Sequence, residues 1–245
     1  MLTERGSLTG HRSRSGTSID GGRTCARRRS RLAGGRHLGF RKVVRRAWNG
    51  VASSAPGANG GPAQMRYTRD FGSPLPPAWT DLPNRDRYWT EFEERFRFRP
   101  GMKPESWPAI AEPTPSVTFD LTNTAGTEAS WRARFDAVNA EALRCFVAEF
   151  VDDPRFVVLD WQHPGYWFDA AEHCAAEDSE WRVPVYPNGD YYIFLREDFS
   201  AGTFGHPWEP TLCVFGERLV NTLGRTLATW LPRKRVNGQP YDRDG

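Results

Sequence analysis

The sequence predicts an α+β fold: a mostly antiparallel, mixed sheet with helices packed on one face, preceded by a disordered basic N-terminal tail. Three observations predict it. Between Thr127 and Val151, large apolar residues recur at three-to-four spacing, the period of a helix lying on a sheet. Short β-branched and aromatic runs, Arg155–Trp161 and Thr211–Phe215 among them, are bounded by Pro, Gly and Asp as strands are. Pro187-Asn188-Gly189 separates two further runs, Trp181–Tyr186 and Asp190–Leu195, and Asn-Gly between strand-like runs is a strong hairpin signal.

The elements follow in chain order. From Phe71 to Pro83 the chain is Pro-rich, an extended lead-in that packs through Trp79. Asn84 is placed to cap a helix whose apolar face is Tyr88, Trp89, Phe92 and Phe96, and Pro100-Gly101 ends it. The run from Pro104 to Pro115 holds four prolines and reads as irregular, and Ser116–Leu121 alternates as a half-buried strand. Thr127 is the N-cap of the long helix, whose stripe is Trp131, Phe135, Val138, Ala142, Phe146 and Phe150, and Asp153-Pro154 stops it. Strand, long helix and strand in this order allow a right-handed crossover or a mixed sheet. A strand over Thr211–Phe215 leads into a last helix from about Glu217 to Leu231, with Leu219, Leu223, Leu227 and Trp230 on its buried face. Pro232 ends that helix and a polar tail follows.

Charge divides the chain in two. Residues 1–64 hold 13 Lys+Arg against Glu4 and Asp20, a net of +11, so with +3 overall the remainder carries −8 (3 − 11). The first segment also contains twelve of the 23 glycines and no sustained period, so it buries too little apolar surface to offset its chain entropy. Its arginines could neutralise nucleic-acid phosphates, although only Phe40 and Trp48 are present to stack on bases. No apolar core of about 7–15 residues makes it a secretory signal, whereas an Arg-rich, acid-poor composition is shared with transit peptides. The plainest reading is translated upstream sequence, with Met65 as the natural start of a single domain of 181 residues. No apolar run approaches the roughly 18–20 residues that span a bilayer. Four scattered cysteines without a CxxC pair fit reduced thiols in the cytoplasm.

The blocks YWTEFEERFRFRP, EPTPSVTFDL and PNGDYYIFLREDFSAGTFGHPWEPTLCVFGERL together resemble the bacterial family catalogued as domain of unknown function 2716, over about Trp79 to Leu231. The resemblance implies a bacterial, intracellular protein, carries no activity with it, and has no counterpart for residues 1–64.

Candidate sites are few. His206 and Glu209 flank Pro207-Trp208, and a histidine beside a carboxylate can act as general base with its orienter or as a metal-ligand pair; Asp190 and Tyr191 could complete such a site. Against this stands a structural role, with Trp208 plugging the core, His206 bonded to a backbone carbonyl and Glu209 in water. A second constellation is HPGYWFDAAEHCAAED, where Asp169 and His173 would share a helical face, His163 or Glu177 could add a metal ligand, and Glu172 and Cys174 stand close by. Acidic residues beside one histidine are common on solvated surfaces, so neither a metal nor any other cofactor is expected. Tyr166, Trp167, His206 and Trp208 lie in loop-like aromatic stretches of the kind that supply binding hot spots. With −8 on the body, a basic protein is the partner that charge favours, and nucleic acid is repelled except through the tail. The expected function is therefore a non-enzymatic, acidic binding module of immunity or antitoxin type. The alternative is a hydrolase or transferase centred on His206 and Glu209.

Overall fold

Among the described residues one nine-stranded sheet, every pair antiparallel, organises the fold. The computed structural model describes residues 74–176 and 179–242. The basic tail, the start at Met65 and Glu177 lie outside the described residues. The strands are β1 (Trp79–Asp81), β2 (Ser116–Asp120), β3 (Arg155–Asp160), β4 (Tyr166–Asp169), β5 (Tyr192–Leu195), β6 (Gly202–His206), β7 (Thr211–Phe215), β8 (Arg233–Val236) and β9 (Gln239–Pro240). Their order is β1-β4-β3-β5-β6-β7-β2-β8-β9. The helices are α1 (Arg85–Phe96), α2 (Glu128–Glu149), α3 (Ala170–Ala175) and α4, which opens at Glu217–Leu219, widens to a π-turn over Val220–Gly224 and closes at Arg225–Leu227.

The α+β class holds, but the helices cover both faces of the sheet. Phe135, Val138, Ala142 and Phe146 of α2, with Leu219, Leu223 and Leu227 of α4, pack on Phe119, Phe156, Val158, Phe194, Leu212 and Val214. Tyr88, Trp89, Phe92 and Phe96 of α1 pack on the other side, on Val157, Leu159, Ile193, Leu195, Phe204, Cys213 and Phe215. Central strands buried on both faces have no polar side to show, which is why β3, β5 and β7 are nearly continuous apolar runs. β2, expected to be half-buried, is enclosed in the same way between β7 and β8.

The long helix forms as its sequence dictates. Thr127 caps it, accepting the Ser130 N–H at 3.2 Å, and the apolar stripe faces the sheet. β2 and β3 run in the same direction but have β7, β6 and β5 between them, so α2 crosses the width of the sheet and makes no adjacent parallel pair. α4 lies close on β2, where a Cβ at Gly224 would come within 2.9 Å of Val117.

Four expectations are corrected. No hairpin forms at Pro187-Asn188-Gly189: both edges of β5 are taken, by β3 and β6. The N–H groups of Val185 and Tyr186, which would have fed a ladder, are accepted by the Asn139 side chain of α2 at 2.8 and 3.0 Å. The hairpin partner of β5 is β6, through a turn in which Asp198 accepts the Ser200 N–H at 3.0 Å and hydroxyl at 2.6 Å. Asn84 occupies the α1 N-cap in a left-handed conformation, φ 57, with no side-chain cap. Trp230 lies past the last helical turn and is 41% exposed. The supposed polar tail is β8 and β9, a hairpin about Asn237-Gly238, both at positive φ (51 and 76), with β8 paired to β2.

A chain ended at Pro232 loses β8 from the β2 edge. Its thermal unfolding midpoint, followed by circular dichroism, is expected to fall by at least about 10 °C; an unchanged midpoint would show the strand to be dispensable.

Candidate functional site

Asp190, Tyr191, His206, Trp208, Glu209 and His163 gather at one end of the sheet, where β3 and β6 finish and β5 and β7 begin. Tyr166 and Trp167 lie elsewhere, on β4. Tyr166 is buried in the α2-side core and accepts a hydrogen bond from Arg182 Nε at 3.2 Å. Trp167 is half-buried, with the Arg155 guanidinium 5.6 Å above its ring and Tyr88 edge-on at 6.0 Å.

His206 closes β6 instead of standing in a loop, and it is fully buried. The chain turns back over Pro207–Pro210 so that the Glu209 backbone N–H donates to His206 Nδ1 at 3.0 Å. That bond requires a bare Nδ1, which puts the ring proton on Nε2, 3.4 Å from the Tyr191 hydroxyl. Tyr191 in turn donates to the Gly101 carbonyl at 2.9 Å and accepts the Gly101 N–H at 3.0 Å. Burial, aided by the nearby cations Arg235 and Lys234 and opposed by the Glu209 carboxylate, pulls the His206 pKa down to about 4. The ring is a neutral donor whose lone pair is already spent on backbone, a poor arrangement for a general base. Trp208 leans on it: half-buried, it meets Tyr191 at 5.0 Å and Trp161 at 6.0 Å, both edge-to-face.

Glu209 is not in water. It is 4% exposed and forked by Arg235 of β8, Nη1 to Oε1 at 2.5 Å and Nη2 to Oε2 at 2.9 Å, while the Thr211 hydroxyl donates to Oε2 at 3.1 Å. Arg235 Nε donates to a second buried carboxylate, Glu112, at 2.6 Å, and Lys234 Nζ lies 3.5 Å from Glu209. Burial works against ionisation of Glu209, yet the guanidinium hydrogen bonds outweigh it and hold the carboxyl below its ordinary range. Two buried carboxylates are thus met by the buried Arg235 and the partly exposed Lys234. Sequence reasoning missed Arg235 and Glu112. The available signal was Asn237-Gly238, a second Asn-Gly pair flanked by Arg233–Val236, which makes a hairpin where the first pair does not.

On the opposite face of the same strand ends, Asp160 and Asp190 both approach His163. Nδ1 of His163 is 3.3 Å from Asp160 Oδ1 and 3.3 Å from Asp190 Oδ2. Asp160 is fully buried and the imidazole is 38% exposed. The Tyr191 N–H donates to Asp190 Oδ1 at 2.8 Å, which leaves Oδ2 for the histidine. The pairing expected between Asp169 and His173 gives way to separate structural roles. Asp169 caps α3 by accepting the Glu172 N–H at 2.9 Å. His173 is buried against Trp181, with ring centroids 4.5 Å apart, and hydrogen-bonds the Ser179 hydroxyl; desolvation takes its pKa down to about 4. Cys145, Cys174 and Cys213 are free thiols, Cys174 being half-buried, and burial pushes Cys145 up to about 12.

A groove of about 430 Å³ lies at the other end of the sheet, lined by Phe150, Arg196, Asp198, Ser200, Glu217 and Arg218 among others, and holds none of these groups. No helix of the described residues is long and apolar enough to cross a membrane.

A doubly covered antiparallel sheet with charges paired at one end defines an α+β domain. The chain belongs to the family described as "Protein of unknown function (DUF2716)", whose model matches residues 81–220. It is 32% identical over 143 residues to the uncharacterized protein YxiI of Bacillus subtilis (strain 168), which covers 57% of this chain and 86% of that protein. No solved structure matches it. Glu112, Asp160, His163, Asp190, His206 and Glu209 fall within the family segment, whereas Arg235 lies beyond it.

Two outcomes are expected. Arg235→Ala strands two buried carboxylates and should cost about 3–5 kcal/mol in urea unfolding at pH 7, with Arg235→Lys intermediate because an ammonium cannot fork. Acidification should destabilise through His173 and His206. Above about pH 6.5 both are neutral folded or unfolded; between there and about pH 4 only the unfolded chain takes up protons, so stability falls with pH. From pH 7 to pH 5 the loss should be about 2 kcal/mol per histidine, and His173→Phe should remove its share.

Proposed function

We propose that the chain is a non-enzymatic binding module whose acidic body takes a basic protein partner, in the manner of an immunity or antitoxin protein. The observation that carries this reading is the state of Trp208. It is half-buried, in ring contact with Tyr191, His206 and Trp161, and presented at the turn between β6 and β7. A rigid, partly exposed indole loses little side-chain entropy on docking, which is what an interface anchor requires. The −8 of residues 65–245 supports a cationic partner, through attraction at long range and repulsion of anionic competitors. Trp161 and Trp167, also half-buried, add further apolar area that a partner can cover. Free thiols at Cys145, Cys174 and Cys213 suit an intracellular setting. A hydrolase or transferase centred on His206 and Glu209 has less support, since both side chains are buried and the Nδ1 lone pair is engaged.

The test compares the full chain with Trp208→Ala in affinity capture from lysate of the source cell, with and without residues 1–64. A basic protein in stoichiometric amount, released by salt, held by both lengths and bound at least about 30-fold more weakly by the variant (2 kcal/mol) is expected. Capture that depends on the tail alone, or is untouched by Trp208→Ala, would count against the module.

A further inference from the structure

The geometry points to a conformational device: the loop Pro100–Pro108 is a strap that lifts off the α1 side of the sheet while the rest of the fold stays closed, and the Tyr191 hydroxyl is its latch. The base of the strap is firm. The Arg99 N–H donates to the Ala109 carbonyl at 2.8 Å and the Ala111 N–H to the Phe96 carbonyl at 2.7 Å, and Phe98, Ala109 and Ile110 are buried in the α1-side core. The tip has no such anchorage. Pro100, Met102, Lys103, Pro104, Glu105 and Pro108 are exposed, the single helical turn Pro104–Ser106 buries no residue, and Met102 is 65% exposed. A segment that buries so little apolar surface gains little by staying closed, which is the condition for opening locally at low cost.

The tip is also stiff enough to move as one piece. Ser106 donates both its N–H and its hydroxyl to the Lys103 carbonyl, at 3.0 and 2.6 Å, and the Trp107 N–H donates to the Pro104 carbonyl at 3.1 Å. Gly101 lies so close to Ser106 that a Cβ there would collide with the hydroxyl, and three prolines with fixed φ remove further freedom. Two contacts tie this piece to the sheet. One oxygen, the Tyr191 hydroxyl, holds both backbone groups of Gly101, and the Trp107 ring meets His206 at right angles with centroids 5.6 Å apart. The second contact carries a penalty. The Trp107 indole N–H is buried without an acceptor among the described residues, a cost that hydration relieves when the strap lifts. Lifting uncovers the Tyr191 hydroxyl and the His206 ring where Gly101 and Trp107 now cover them. The Tyr191 ring also packs on Trp208 at 5.0 Å and on Trp161 at 5.4 Å, so the latch is one residue removed from the half-buried indoles. The strap operates whether or not the chain binds a protein.

The experiment is hydrogen exchange on the full chain, followed by NMR at the Gly101 and Ser106 amides, the Trp107 indole N–H and the Ile193 and Phe194 amides of β5, at urea concentrations below the unfolding transition. In the parent, Gly101 and the Trp107 indole are expected to exchange through an opening with little urea dependence, because little surface is exposed, whereas Ile193 and Phe194 exchange with the steep dependence of global unfolding. Tyr191→Phe keeps the ring and its packing and removes the latch. It should speed exchange of the Trp107 indole, which has no bond to Tyr191, at least about tenfold together with Gly101, and leave Ser106, bonded within the tip, as in the parent. Circular dichroism confirms that the variant is folded. Steep urea dependence at Gly101 and the Trp107 indole in the parent would overturn the strap, and that measurement decides even if the variant does not fold. A variant in which Gly101 alone speeds up would overturn it too, since a hydrogen bond would then have been lost without any lifting. So would a variant in which Ser106 speeds up equally, because the loop would be melting instead of swinging.

Discussion

A sheet covered on both faces leaves no side on which a charged residue can face water, and that constraint shapes the rest of this molecule. α1 closes one face and α2 with α4 the other, so a charged side chain on a central strand is cut off from water and meets its partner inside the fold. The apolar strands satisfy the constraint by having nothing to pair. Glu209 and Arg235 satisfy it by pairing with one another, Asp160 by meeting His163, and His206 by accepting a backbone N–H, and they sit towards one end of the sheet, where the strands terminate and turns supply N–H groups and carbonyls.

Arg235 is the clearest case. Its guanidinium joins three segments far apart in sequence: the loop before β2 through Glu112, the β6–β7 turn through Glu209, and its own strand β8. A cluster of this kind gains little over an apolar replacement of the same volume, because desolvation consumes most of the Coulomb attraction. What it supplies is discrimination: β8 shifted by one residue along β2 would turn Arg235 to the opposite face and leave both glutamates unmatched. His206 obeys the same logic with no charge at all, its neutral tautomer held by the Glu209 N–H at one nitrogen and by Tyr191 at the other.

The two polar systems at this end of the sheet stand back to back and differ in access. On the α1 side Tyr191, His206, Glu209 and Arg235 are sealed, while Trp208, Trp161 and Lys234 reach the surface. On the α2 side Asp160 is sealed but His163 is open to solvent over more than a third of its side chain. A closed system of matched charges serves the fold, whereas the half-open one brings two carboxylates onto a single imidazole nitrogen near the surface. The same Tyr191 contributes to both, its hydroxyl on one face and its backbone N–H to Asp190 on the other.

Much of the architecture was legible from local sequence. The stripe of α2 with its Thr127 cap, the aromatic face of α1, the buried anchor Trp79 and the strands β3 and β7 are each set by the spacing and chemistry of neighbouring residues. The unalternating runs of β3, β5 and β7 even carried the sign that both faces are covered, although it was read as helices on one face. Asn188-Gly189 and Asn237-Gly238 have the same turn chemistry, yet only the second makes a hairpin. The difference lies in whether the flanking strands have free edges, and Asn139, 46 residues away from Val185, takes the donors at the first. Arg235 in an apparently polar tail, Glu209 in an apparently wet loop and the meeting of His163 with Asp190 were invisible for the same reason. Periodicity and capping are properties of a segment and its immediate neighbours, so the sequence by itself determined the elements. Which buried charge meets which depends on the order and register of strands separated by 26 residues in the case of Glu209 and Arg235 and by 123 in that of Glu112 and Arg235, and only the tertiary structure decided that.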